Sequence, residues 1–235
     1  MDDDVRQSRY REMRSAAPEL FDNPPGAPFE ILLNPADVAA AEEMAAQLLD
    51  ARGMPRSWAH TGVVYEDPYS VVLRDAVRMP SGRSGTYVRR VQPAGAAGVV
   101  VLPRCAGDVV LIRHFRHSTR SWHLEAPRGF GEPGSTPDQD ARRELLEEIG
   151  ATPLALHPLG VVHPDTGQSA DGVHLFYAEI ERLDAEGEAE EGIAATLAVP
   201  PAACAELIRT GAITDGFTIA AWTRALLQGL LPSGR

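Results

Sequence analysis

Three glutamates lie close together in the run Arg143-Glu144-Leu145-Leu146-Glu147-Glu148. Helical spacing places Glu144 and Glu148 one turn apart on one face, with Glu147 beside them. Like charges at that spacing repel by ~0.2–0.5 kcal/mol per exposed pair. A carboxylate patch that is nevertheless held in place is a hard oxygen site, suited to Mg²⁺ or Mn²⁺. Magnesium commonly bridges such carboxylates to phosphate oxygens. The chemistry open to these residues is therefore the holding of a divalent cation against phosphate groups, with a solvated acidic face as the alternative.

Two elements must position them. The spacing predicts a helix over 137–149, with Thr136 as N-cap and Pro137 at the first helical position. Asp138 and Asp140 suit the positive end of its dipole, and Gly150 suits a left-handed C-cap. Leu145, Leu146 and Ile149 are expected to anchor the face opposite the carboxylates. A glycine-rich loop over 128–136 precedes the helix, and its backbone can come close to a ligand.

Further from the site, AGVVVLP over 97–103 and Val109-Val110-Leu111-Ile112 read as buried strands joined by a hairpin turn at 104–108. Trp122 to Pro127 reads as a short strand, and so do Leu159–Val162 and Val173–Ile180. Closing helices are expected at 201–210 and 217–230. Strands without regular βαβ alternation imply a mixed sheet between helices. Upstream, Val63–Tyr65, Ser70–Leu73 and Thr86–Val88 read as a small antiparallel sheet, and 35–52 as a helix closed by Gly53.

At 44% hydrophobic residues the chain can bury a sizeable core. Its net charge of −11, with no dense basic run, argues against a nucleic-acid partner. Cys105 and Cys204 match no zinc spacing and are expected as two reduced, buried thiols. The acidic start Met1-Asp2-Asp3-Asp4 is unlike a secretory signal, and no apolar run approaches the ~18 residues of a membrane span. A cytoplasmic protein with no membrane partner is expected.

The segment 129–151 resembles the Nudix box, whose pattern is Gly, five residues, Glu, seven residues, then Arg-Glu-aliphatic-x-Glu-Glu-x-Gly-aliphatic. Here it reads Gly129, five residues, Ser135, seven residues, then Arg143-Glu144-Leu145-Leu146-Glu147-Glu148-Ile149-Gly150-Ala151. The resemblance implies an α/β (α+β) fold, the Nudix α/β/α sandwich with a mixed sheet. It also implies an Mg²⁺- or Mn²⁺-dependent hydrolase of a nucleoside diphosphate derivative. Glu144, Glu147, Glu148 and the backbone carbonyl of Arg128 would be metal ligands; Gly129, Arg143 and Gly150 would be structural. Ala151 is a mild departure. Ser135 is a larger one, because the family's Glu at that place is mainly a partner of the box arginine. Glu132 in the loop is the residue expected to compensate. The alternatives to an ADP-ribose hydrolase are a hydrolase of another nucleotide sugar or biosynthetic nucleotide conjugate and a catalytically weakened Nudix-fold nucleotide-binding protein.

The flanks resemble the ADP-ribose pyrophosphatase branch of that family. Arg113-His114-Phe115-Arg116 resembles its Arg-Gln-Tyr/Phe-Arg turn, and Glu125-Ala126-Pro127-Arg128-Gly129 its Glu-x-Pro-x-Gly lead-in. The resemblance implies substrate contacts at Arg116, Glu125, Pro164 and Arg89, with His163 a further candidate. Residues 184–192 resemble a loop carrying a catalytic acid: Glu191 aligns best, with Glu190 and Glu188 as alternatives, and such an acid serves as general base. Residues 61–95 resemble a small β domain that in the branch is swapped across a homodimer. The expected organisation is a partly helical extension over 1–60, the β domain over 61–95 and the Nudix domain over 96–235.

Overall fold

The computed structural model describes residues 3–92, 97–183 and 192–232. The chain divides into two compact units, one of residues 1–93 with 165–171, the other of 94–164 with 172–235.

In the first unit, strand β3 (Val71–Arg78) is central. It pairs antiparallel with β4 (Ser84–Val91) along one edge, and with β2 (Gly62–Glu66) and β1 (Glu30–Ile31) along the other. Helix α1 (Asp3–Ala16) was not foreseen, whereas α2 (Pro35–Asp50) matches the expected helix. The first 60 residues are no appendage to the β sheet. Tyr10 and Phe21 pack edge to face against each other and into Val63, Val71, Leu73 and Val91. Tyr10 also hydrogen-bonds the buried carboxylate of Asp75. Burial and that neighbouring negative charge push the Tyr10 hydroxyl far above the ordinary phenol range.

The second unit holds a mixed sheet of seven strands among the described residues. Its main path runs β11 (Ile193–Val199), β6 (Asp108–Arg116), β5 (Val99–Cys105), β10 (Val173–Ile180), β9 (Pro153–Val162). Short strands β7 (Ser121–Glu125) and β8 (Arg128–Gly129) pair with β6 and β5. Strand β5 is antiparallel to β6 and parallel to β10, so the sheet is mixed. The hairpin turn is Ala106-Gly107, both at positive φ, as a two-residue turn of type I′ requires.

Alternation splits the central strands between two cores. Val99, Val101, Val110 and Ile112 face α3 (Pro137–Ile149), meeting Ala141, Leu145 and Ile149. Val100, Leu102, Val109 and Leu111 face the other way, onto Cys204 of α4 (Pro201–Arg209) and Ala221, Trp222 and Ala225 of α5 (Gly216–Leu227). Because both faces are covered, β5 reads as one continuous apolar run. Strand β9 begins earlier than expected. It lies at the end of the strand order, where Pro153 and Pro158 are tolerated. Among the described residues, no helix is long and apolar enough to cross a membrane.

Both cysteines are free; Cys204 is buried and Cys105 only half-buried, short of the expected burial. Burial pushes the Cys204 thiol up to about 11. Because the folded state holds this proton more tightly, the associated stability is intact below the ordinary thiol range. It is lost as the pH rises toward about 11. A thiol reagent at neutral pH should label Cys105 first and reach Cys204 only with unfolding; prompt labelling of both in the native protein would contradict this packing.

Candidate functional site

Helix α3 starts where its sequence says it should. Thr136 and Gln139 form a reciprocal capping box, Pro137 takes the first position, and Gly150 closes the helix at φ +63°. Its buried arc is continuous and has two halves. Ala141, Leu145 and Ile149 press into the sheet, and Asp140, Glu144 and Glu148 lie along the neighbouring edge, all buried. The carboxylates therefore share the inward face with the apolar anchors and do not lie opposite them. Leu146, expected as an anchor, is 58% exposed because it falls on the far side of the helix.

The loop supplies the opposing wall. A side chain on Gly129 would collide with the Glu144 carboxylate, so glycine is what lets the loop lie this close while Glu144 keeps its place. The backbone N–H of Arg128 donates to Glu148 Oε2 at 2.9 Å. Arg143 faces four carboxylates. Its Nη1 lies 2.6 Å from Glu147, and its Nη2 lies 2.8 Å from Glu144 and 3.4 Å from Asp140. Its Nε lies 3.7 Å from Glu132. Nη2 also donates to the Phe130 carbonyl at 2.7 Å. Burial alone lowers the Arg143 pKa, but Glu144, Glu147 and Asp140 together outweigh it and hold it above its ordinary value. This cation is permanent. Ser135 Oγ lies 2.6 Å from Asp140 Oδ2, and the Glu132 N–H donates to Asp140 Oδ1 at 3.2 Å.

A second network adjoins the first through Arg128. Buried Glu125 lies beside the Arg116 guanidinium and 3.2 Å from His114 Nδ1, and it accepts a hydrogen bond from Arg128 Nη2 at 3.3 Å. Arg128 Nη1 reaches Asp215 at 2.8 Å, and its guanidinium lies over the Phe217 ring. Asp215 caps α5 by accepting from the Thr218 N–H and hydroxyl, and Thr218 Oγ1 accepts from the Ala126 N–H at 2.8 Å. Asp215 and Thr218 were absent from the sequence reading. Only an Asp-x-x-Thr cap signal before the closing helix marked them, and nothing local tied it to residue 128.

Buried carboxylates one turn apart are costly unless cations offset them. Glu144 and Glu148 form the fixed part of such a site, and their hard oxygens fit Mg²⁺ or Mn²⁺. Among the described residues, no three acidic, histidine or cysteine side chains converge as a ready-made metal cage. Glu147, half exposed and turned to Arg143, is the adjustable member.

A family model described as NUDIX domain matches residues 92–209, half of the chain. The chain belongs to the Nudix family. The ADP-ribose pyrophosphatase of Bacillus subtilis is 28% identical over 49% of this chain and 62% of its own length. The ADP-sugar pyrophosphatase of Mus musculus is 33% identical over 45% of this chain and 53% of its own length. The chain thus spans less than two thirds of either relative. The GDP-mannose pyrophosphatase of Cronobacter sakazakii is 27% identical over 68% of this chain and 90% of its own length. A solved structure described as an ADP compounds hydrolase shares the fold at 21% identity, with a TM-score of 0.63 over 72% of this chain and 92% of that one.

The Nudix box residues Gly129, Arg143, Glu144, Glu147 and Glu148 are thus gathered at one place, as are Arg116, Glu125 and Arg128 beside them. Pro164 and His163 are exposed in the bend after β9. Arg89 belongs to the first unit. There its Nε bonds Asp75 at 2.6 Å and its guanidinium lies over Phe21, so the residue expected to touch substrate is engaged in that unit's own packing. Glu188, Glu190 and Glu191 lie outside the described residues.

Gly129→Ala must push the Glu144 carboxylate aside. It is expected to cost ~1–3 kcal/mol of stability in urea unfolding, the usual penalty of overpacking, and to weaken Mg²⁺ binding by calorimetry. Unchanged values for both would show that the close approach of loop and helix is not required.

Proposed function

We propose that this protein hydrolyses the diphosphate bridge of a nucleoside diphosphate derivative, with ADP-ribose the first candidate substrate. The observation that supports the reading best is the buried carboxylate edge of α3, which holds Glu144 and Glu148 against the loop at Gly129. Glu144, Glu147, Glu148 and the backbone carbonyl of Arg128 are the groups that would hold Mg²⁺ or Mn²⁺. When bound, the ion neutralises the diphosphate and lowers the pKa of water.

The chain's own groups have distinct tasks. Arg143 keeps Glu144 and Glu147 oriented. The Arg128 N–H fixes Glu148. Arg116, poised by Glu125, is the candidate contact to a substrate phosphate. A glutamate of the acidic loop, Glu191 before Glu190 or Glu188, takes the proton of the attacking water. Water oxygen bonds to phosphorus and the bridging P–O bond breaks. ADP-ribose would give AMP and ribose 5-phosphate. By resemblance to the same branch, the working form is a homodimer.

A GDP-sugar substrate is the second reading. It is favoured by the GDP-mannose pyrophosphatase relative, whose match covers more of both chains than those of the two ADP-directed relatives.

Incubation with Mg²⁺ or Mn²⁺ and ADP-ribose, GDP-mannose, other nucleotide sugars and dinucleotides, followed by chromatography for nucleoside monophosphate, tests the proposal. AMP from ADP-ribose at the highest kcat/KM is expected, and Glu148→Gln should lower kcat by at least about 10-fold, the lower end of the loss seen when even a group supporting metal ligands is removed. No monophosphate from any substrate, with Glu147→Gln binding nucleotide as well as the parent does, would sink it.

A further inference from the structure

Ser135 stands where the box pattern has an acid, yet Arg143 is not short of negative partners. Glu132 is the loop candidate to replace that acid. Its carboxylate is 65% exposed and 3.7 Å from Arg143 Nε. That is too long for a hydrogen bond, and an exposed pair of this kind holds little. Asp140 is different. It is 1% exposed and sits in the first turn of α3, where the helix dipole favours a carboxylate. Oδ2 receives Ser135 Oγ at 2.6 Å; Oδ1 receives the Glu132 N–H and, at 3.4 Å, Arg143 Nη2. The Ser135 hydroxyl also lies 2.8 Å from the Glu132 carbonyl. It has one proton to give, and the bond to the charged acceptor is the stronger of the two.

We propose that Asp140 is the positioning residue that replaces the missing box acid. It fixes Arg143 from within the helix, and through Arg143 it fixes Glu144 and Glu147. Ser135 is its tether, closing the loop 130–135 onto the first turn of α3. The two positions are then mutually dependent. An acid at half-buried 135 with Asp140 retained sets a second negative charge against the buried one, whereas an acid at 135 without Asp140 restores the family arrangement. The inference rests on the α3 carboxylate edge being the ion site proposed above.

The test is a double-mutant cycle on the full chain without nucleotide. Mg²⁺ or Mn²⁺ affinity is read by calorimetry, and melting of the metal-free protein is followed in parallel. Asp140→Ala should weaken the ion about 10- to 100-fold, the usual loss when a group supporting metal ligands is removed. Ser135→Glu alone should also weaken it. Ser135→Glu with Asp140→Ala should bind better than either single variant and within about threefold of the parent, a non-additivity expected only of coupled positions.

Unchanged affinity in Asp140→Ala overturns the proposal. So does a double variant no better than Asp140→Ala, since Asp140 would then be merely structural. If Asp140→Ala does not fold, Ser135→Ala decides: a several-fold weakening is expected, and parental affinity overturns the tether. A parent that binds neither ion overturns the ion site and this inference with it. A parent that binds the ion but splits no nucleotide overturns only the hydrolase reading.

Discussion

Placing carboxylates on the inward side of a helix conflicts with the ordinary partition of charge to water. Here the conflict is met by a guanidinium, a hydroxyl and backbone N–H groups, Ser135 Oγ donating to Asp140. Arg143 draws Asp140, Glu144 and Glu147 around itself, and the N–H groups of Arg128 and Glu132 hold Glu148 and Asp140. Much of the second unit serves this arrangement. The apolar half of α3 must seat on Val99, Val101, Val110 and Ile112 for the carboxylate half to face the loop. The loop must carry glycine at 129 for the two to meet.

Arginine suits this task better than lysine. Its planar fork bonds several oxygens in fixed directions, and it stays charged in a partly buried setting. All 22 basic residues of the chain are arginines. Three of them, Arg116, Arg128 and Arg143, organise the site by pairing carboxylates of one another's neighbourhoods. The result is a charged cluster in which Glu144 and Glu148 are buried and held, while Glu147 stays half exposed.

Much of this was legible in the sequence. Local signals determined α3 almost completely, because its N-cap, first-turn proline, charge bias and terminal glycine all agree. The strands β5 and β6 were legible from continuous β-branched runs. What escaped was non-local or ambiguous. Asp140 reads as a dipole-stabilising acid, and only the folded loop shows that it also meets Ser135 and Arg143. Leu146 looked like a core residue because one-turn spacing alone does not say how far an apolar arc extends. Helix α1 is strongly polar, with few apolar residues to mark the face that packs on the sheet. Strand β11, rich in alanine, lacks the β-branched pattern and depends on its partner β6.

The bond from Arg128 to Asp215 joins residues 87 positions apart. Every box residue from Gly129 to Glu148 precedes Asp215 in the chain. During synthesis the loop and its helix therefore emerge well before the carboxylate and helix cap that steady Arg128. The Arg128–Asp215 bond can therefore form only after the segment that carries α5 has been made.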